Sequence, residues 1–322
     1  MKEGTKFMAY LGIDLGGTNI AAGVVDEKHQ LTLKTSRKTP ASCSGEEICQ
    51  QLAEAAAETL QKAGLTLHDI PYIGIGCPGT VNRETGVIEF SNNLHFSNLP
   101  MQKLLQEKLG TKVVLENDAN AAAFGEYKAG ALRNANIAVA ITLGTGIGSG
   151  IIIDGKILAG SNFAGGEMGH TVIQVDGRLC TCGRHGCWEA YASATGLILT
   201  TQEQMKKDRS SVMWSLTEGD MAKVDGRTAF QAMRAGDAAG KAAVDEYIHY
   251  LACGITNCIN IFQPDVLCIG GGVSNEGDPL MIPLREAVKK EVYSKNSAKQ
   301  TRICRAQLGN DAGILGAALL AE

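Results

Sequence analysis

The chain has 322 residues, 44% hydrophobic and 20% charged, with 30 basic against 34 acidic side chains and a net charge of -4. That length suits two domains or one large one, and it buries enough core to do without disulfide staples. The charge balance argues against a general polyanion binder, and 5% aromatics leaves little to stack on nucleic-acid bases. Glycine stands out at 39 residues, about 12% against a usual ~7%.

Residues 1–7 show no apolar h-region with a cleavage site, and no run of 18 apolar residues lacks charge or glycine breaks. The expectation is a cytoplasmic chain without a membrane segment. Residues 8–15 read as a buried strand, Gly16-Gly17-Thr18 as a turn, and Asn19 to Asp26 as the returning strand. An amphipathic helix is predicted over 46–63. Ser44 is its N-cap, Glu46 and Glu47 lie in the first turn, and Gly64 ends it. Pro71–Cys77 is a strand, 101–109 a helix, Val113–Leu115 a strand, and Asn117–Ala131 an alanine-rich helix. Ala135–Ile153 repeats the opening theme of strand, glycine turn and strand. Helices are predicted near 193–207, 239–262, 281–294 and 311–320, and strands at 266–269 and 302–306.

The opening recurs. A shift of 128 residues carries Ile13, Leu15, Gly16, Asp26 and Lys28 onto Ile141, Leu143, Gly144, Asp154 and Lys156. This implies two similar α/β halves, each with a glycine turn, facing one cleft. Chance is the alternative, because hairpins share composition.

Five stretches bear on chemistry. In Asp14-Leu15-Gly16-Gly17-Thr18, two glycines let backbone N–H groups approach an anion, and Asp14 suits a hydrated divalent cation; a plain hairpin turn is the alternative. In Gly144-Thr145-Gly146-Ile147-Gly148-Ser149-Gly150, alternate glycines bare one strand face for a phosphate or for close packing. Gly270-Gly271-Gly272 follows a buried strand and offers flat backbone to a purine. In Glu116-Asn117-Asp118, the aspartate either caps the helix or serves as a general base at a strand end. Ser91-Asn92-Asn93 supplies amides to a polyol or forms a turn. The fifth stretch is the strongest. His170, Cys180, Cys182 and Cys187 fall within 18 residues, the full set for a structural Cys₃His zinc site, with Gly183 and Gly186 to turn the loop. The other seven cysteines are scattered and read as small buried hydrophobes. Glu167 and Glu189 flank the cluster and would be held to accept hydrogen bonds from hydroxyls.

Together, and in this order, these stretches resemble the ROK family of sugar kinases and repressors. The most specific marker is Gly169-His170 through Cys180-Thr181-Cys182-Gly183-Arg184-His185-Gly186-Cys187-Trp188-Glu189. The resemblance implies the actin-like ATPase (ribonuclease H-like) fold, with two α/β domains around a nucleotide and sugar cleft. The expected boundaries are 1–118 plus 308–322 for the small domain and 119–307 for the large one. ATP with Mg²⁺ would be bound by Asp14, Gly16, Gly17 and Thr18, by Gly144, Thr145 and Gly146, and by Gly271 and Gly272. The resemblance makes Asp118 the catalytic base, and Asn93, Asn117, Glu167, His170 and Glu189 sugar-binding residues. Zinc would be structural, with His170 serving both metal and sugar.

Within the family, Trp188-Glu189-Ala190-Tyr191-Ala192-Ser193 looks most like the bacterial ATP-dependent glucokinases. The first loop starts at Asp14, leaving no room ahead of it for a repressor's winged helix, and no nucleic-acid partner is expected. The alternatives are a kinase for mannose, fructose or N-acetylmannosamine, and a sugar-sensing module without phosphoryl transfer. The resemblance also implies a homodimer or homotetramer. On this reading the glycine excess, Gly12, Gly23, Gly74 and Gly76 included, is backbone lining the ligand cleft.

Overall fold

A computed structural model describes residues 8–40, 43–91 and 94–322. The chain opens with β1 (Ala9–Leu15), β2 (Asn19–Asp26) and β3 (Leu31–Lys38), then α1 (Gly45–Ala63) and β4 (Ile73–Cys77). A small meander follows: β5 (Thr80–Asn82), β6 (Val87–Ser91) and β7 (Phe96–Leu99). Next come α2 (Met101–Leu109), β8 (Val113–Asn117) and α3 (Asp118–Ala129). The repeat begins with β9 (Ile137–Leu143), β10 (Ile147–Ile153) and β11 (Lys156–Ile157). Helices α4 (Glu189–Ala192), α5 (Ala194–Lys207), α6 (Met213–Leu216), α7 (Thr228–Arg234) and α8 (Ala238–Phe262) lead to β12 (Val266–Gly270). The chain ends with α9 (Asp278–Glu291), β13 (Arg302–Arg305) and α10 (Ala312–Ala318).

The contacts divide the chain into two compact units. The first is Met1–Asn134, Gly150–Gly166 and Gln307–Glu322; the second is Ala135–Ser149 and Glu167–Ala306. Helix α3 and the segment 150–166 therefore go with the first unit, past the boundary drawn after 118.

The first unit is built on a sheet of order β3-β2-β1-β4-β8. β1 pairs antiparallel with β2 and parallel with β4, and β4 pairs parallel with β8. Every residue of β4 is buried, as suits a parallel strand covered on both faces. β3 alternates half-buried with exposed positions, the signature of an edge strand with one wet face. On one side lies α1, whose Ser44 and Glu47 form a reciprocal capping box and whose Gly64 ends it in the left-handed region at φ 69. Against the sheet and α3 lies α10, all seven of its residues buried.

Four glycines admit α10. A Cβ on Gly12 would stand 2.0 Å from the Ile314 carbonyl oxygen, and one on Gly74 1.7 Å from that of Ala317. One on Gly125 would meet Ala312 O at 2.2 Å, and one on Gly316 would meet Ala121 O at 1.7 Å. The expectation that Gly12, Gly23 and Gly74 line a ligand cleft is therefore corrected. Gly12 and Gly74 carry helix backbone against strand backbone, and a Cβ on Gly23 would strike Leu31 and Ile314.

The second sheet runs β11-β10-β9-β12-β13. β9 and β12, and β12 and β13, pair parallel. This is the first sheet's order with each strand replaced by its counterpart in the repeat. β9 starts and ends 128 positions after β1, and β10 starts 128 after β2. In the second unit the long helix α8 seats Trp188, fully buried, against Gly254. Among the described residues no helix is long and apolar enough to cross a membrane.

Candidate active site and metal centre

The chemistry-bearing residues of the first unit gather at the C-terminal ends of its parallel strands, where open α/β sheets bind ligands. Asp14 is in register with Gly76 on β4, and Gly76 with Glu116 on β8, so the row passes from one carboxylate to another. Gly313 makes room for Asp14, since a Cβ there would lie 2.8 Å from its carboxylate. Burial, then repulsion from Asp118, raises the Asp14 pKa to about 6 against the opposing pull of Lys34.

The choice between cap and base at the start of α3 is decided by the neighbour. Asn117 is the N-cap, its Oδ1 accepting from Asn120 N at 3.0 Å. Asp118 is the first helical residue and is half-buried. Its Oδ1 accepts from Ala119 N at 3.0 Å, and burial raises its pKa. Asn117 also donates to the Gly79 carbonyl at 3.1 Å, so both ends of its amide are engaged within the protein. Below it lies a group that the sequence reading did not single out. Glu116, 2% exposed, accepts from Arg83 at 2.9 Å, Asn117 N at 2.9 Å and Asn120 Nδ2 at 3.1 Å. That network fixes the backbone on which Asp118 stands. Asn93 lies outside the described residues.

Both glycine loops share one construction. In the first, Gly16 N donates to Asn19 O at 2.9 Å, while Thr39 donates from its hydroxyl to Gly16 O at 2.7 Å and from its N–H to Thr18 O at 2.9 Å. In the second, Gly144 N donates to Gly146 O at 3.0 Å, Ala194 N to Gly144 O at 2.8 Å, and Thr195 Oγ1 to Thr145 O at 2.8 Å. These carbonyls are turned back onto protein. Among the described residues, the N–H groups of Gly17, Thr18, Thr145 and Gly146 have no protein partner. Loops with spare donors of this kind hold anions. Gly271, on the neighbouring strand end, has φ 82, and a Cβ there would lie 2.3 Å from Leu143 O. Gly272 beyond it faces open space.

His170, Cys180, Cys182 and Cys187 converge, their ligand atoms all within 4.8 Å of one another. Cys182 Sγ to Cys187 Sγ is 3.7 Å, and Cys180 Sγ to His170 Nδ1 is 3.6 Å. A tetrahedron with Zn–S arms of about 2.3 Å has edges near 3.8 Å, so the set fits that ion; a disulfide needs about 2.05 Å. The loop is shaped by Gly183 at φ 87 and Gly186 at φ 80, and a Cβ on Gly186 would lie 1.7 Å from Gln174 O. Trp188 pins its end, donating from Nε1 to Tyr250 O at 3.0 Å. Nδ1 of His170 faces the thiols, which assigns the cluster one ring nitrogen and leaves the other outside it. Glu167 is exposed, and its carbonyl accepts from His170 N at 3.2 Å. Glu189 accepts from Ile147 N at 2.8 Å and from Thr181 Oγ1 at 3.2 Å.

Residues 10–322 match the ROK family. The chain belongs to the ROK family. It is 38% identical over 309 residues to a glucokinase of Thermotoga maritima, covering 96% of this chain and 95% of that one. A solved ROK glucokinase from Streptomyces griseus, in complex with glucose and AMPPNP, superposes with a TM-score of 0.82 at 34% identity, covering 97% and 99%. The ROK hexokinase of Thermus thermophilus gives 0.82 at 34% identity, with 97% of each chain covered. The chain thus has the family's actin-like ATPase fold, as the sequence implied, and its two sheets of matching order are the repeat that the fold requires.

Proposed function

We propose that the protein is an ATP-dependent glucokinase, transferring the γ-phosphoryl group of ATP to the 6-hydroxyl of glucose. The observation that carries this reading is the freedom of Asp118. Asn117 does the capping, and a half-buried carboxylate of raised pKa is left at the strand end as a proton acceptor. Full-length similarity to proteins named glucokinase supports the choice of sugar.

Phosphoryl transfer is mostly positioning and charge neutralisation. Asp118 accepts the proton of the attacking hydroxyl. The free N–H groups of the loops at Gly16–Thr18 and Gly144–Gly146 bind phosphate oxygens, and Gly271 and Gly272 lie along the adenosine. Mg²⁺ bound to the nucleotide neutralises charge between the β- and γ-phosphates, with Asp14 as its partner on the protein. Asn93, Asn117, Glu167, His170 and Glu189 read the sugar hydroxyls. Structural zinc on His170, Cys180, Cys182 and Cys187 fixes the ring of His170 and the loop carrying Glu189. The protein works in the cytoplasm as a homodimer or homotetramer.

An ADP-coupled assay across glucose, mannose, fructose, N-acetylglucosamine and N-acetylmannosamine tests the reading. Glucose should give the highest kcat/KM. A better alternative sugar replaces the substrate, and turnover with none of them in favour of bare sugar binding replaces the enzyme with a sensor.

A further inference from the structure

Glu189 stands between two structures that the proposed function treats separately. Its Oε2 accepts from the N–H of Ile147, the residue that closes the loop Gly144–Gly146. Its Oε1 accepts from Thr181 Oγ1, inside the cysteine loop. A Cβ on Gly146 would lie 2.2 Å from Glu189 Oε2, so this loop position lacks a side chain because the carboxylate fills the space. The next residues of the same segment hold the rest of the loop, Ala194 through Gly144 O and Thr195 through Thr145 O. The loop's anchors outside its own backbone thus come from 189–195, and Glu189 is the charged one.

We infer that Glu189 is a positioning residue for nucleotide, coupling the metal-held loop to the phosphate loop. One carboxylate fixes the Gly146–Ile147 peptide while Thr181 fixes the carboxylate. The spare N–H groups of Thr145 and Gly146 are then aimed before nucleotide arrives. A charge-assisted hydrogen bond to a loop peptide is the stronger kind, and aiming donors in advance spares nucleotide binding the cost of ordering them. Linkage makes the coupling reciprocal: what loosens the cysteine loop weakens nucleotide, and nucleotide in turn steadies that loop. The inference rests on the proposed function for the identity of the loop's ligand.

The test is the affinity of a non-hydrolysable ATP analogue with Mg²⁺, measured by calorimetry on the full chain without sugar. Native protein should bind. Glu189→Ala should bind about ten-fold more weakly, the effect of losing one charge-assisted hydrogen bond. Gly146→Ala should do the same by pushing the carboxylate aside; φ at Gly146 is not in the left-handed region, so alanine adds no backbone strain there. Glu189→Gln should restore affinity to within about three-fold, because its amide oxygen still accepts from Ile147 N. Chelation of the metal from native protein should lower nucleotide affinity in the same direction. A residue that only reads sugar would leave all of these unmoved. Glu189→Ala and Gly146→Ala that bind nucleotide like native protein overturn the inference and leave the proposed function standing. Native protein that binds no nucleotide overturns both.

Discussion

Replacing Asp118 with asparagine separates its chemistry from its structural duties. The cap of α3 belongs to Asn117, so the helix start survives the change. The bond that Asp118 accepts from Ala119 N at 3.0 Å passes to the amide oxygen of asparagine. What is lost is the ability to take a proton. General-base catalysis contributes roughly 10²- to 10⁴-fold, or about 2.7–5.4 kcal/mol of barrier. Burial already raises the pKa of Asp118, which strengthens it as a base, so the loss should fall within that range rather than below it. Removing a half-buried charge also relieves desolvation and the repulsion felt by Asp14, so the variant should melt slightly higher than native protein. The assay is steady-state kcat with glucose and ATP, alongside glucose affinity by calorimetry and a melting curve. Expected are a kcat at least 100-fold lower, glucose affinity within a few-fold, and no loss of stability. A kcat within ten-fold of native, with folding intact, would refute the role of Asp118 as base.

Three further outcomes follow from the same geometry. Asp14 titrates near pH 6 in the folded chain, above its ordinary value of 3.8. A raised carboxylate costs stability while ionised, so that cost fades as pH falls through about 6. The proton displaces its cation partner, however, so Mg²⁺-dependent nucleotide affinity should drop below about pH 6 in native protein. Asp14→Asn should be weaker throughout and lack this step, and identical pH profiles would remove Asp14 from the cation site. Elemental analysis after dialysis should find about one zinc per chain, lost with glucose affinity in Cys182→Ala; metal-free protein of full activity would dismiss the centre. Gly74→Ala should be among the costliest single-methyl additions, since its Cβ would stand 1.7 Å from a backbone oxygen of α10. Overpacking against backbone costs about 3 kcal/mol or more, which lowers Tm by roughly 6 °C or more in a unit of this size; a Tm within about 2 °C of native would disprove the close packing.

Local signals carried most of the fold. The hairpin at 16–18, the capping box of α1 and the helix at 101–109 are written in a few adjacent residues, and the structure follows them closely. The metal cluster was legible for the same reason, since four soft ligands within one short loop need no distant information. What the sequence did not reveal depends on partners far along the chain. Edge strand β3 alternates as a half-wet strand should, but its charges mask the pattern, and the sequence reading assigned nothing there. The β5–β7 meander is made of strands too short to announce themselves. Gly12 and Gly74 look like loop glycines by composition, yet their Cβ space is occupied by a helix some 240–300 residues away in the chain. Thr39 carries no motif, and only the fold brings it under Gly16 and Thr18.

The duplication shows which part of the site is architecture and which is chemistry. Each half turns its loop carbonyls back onto protein and leaves loop N–H groups without protein partners, with Thr39 holding the first loop and Thr195 with Ala194 the second. The anion-binding device is therefore a property of strand–turn–strand backbone, present twice. The side chains at matching positions are not repeated. Asp14, in register at the end of β1, has Thr142 as its counterpart 128 residues on, at the end of β9. A carboxylate beside a phosphate loop repels its ligand unless a cation lies between them. Only the first loop carries that burden, so the cation belongs to the first half, beside Asp118, and the second half binds phosphate through backbone alone.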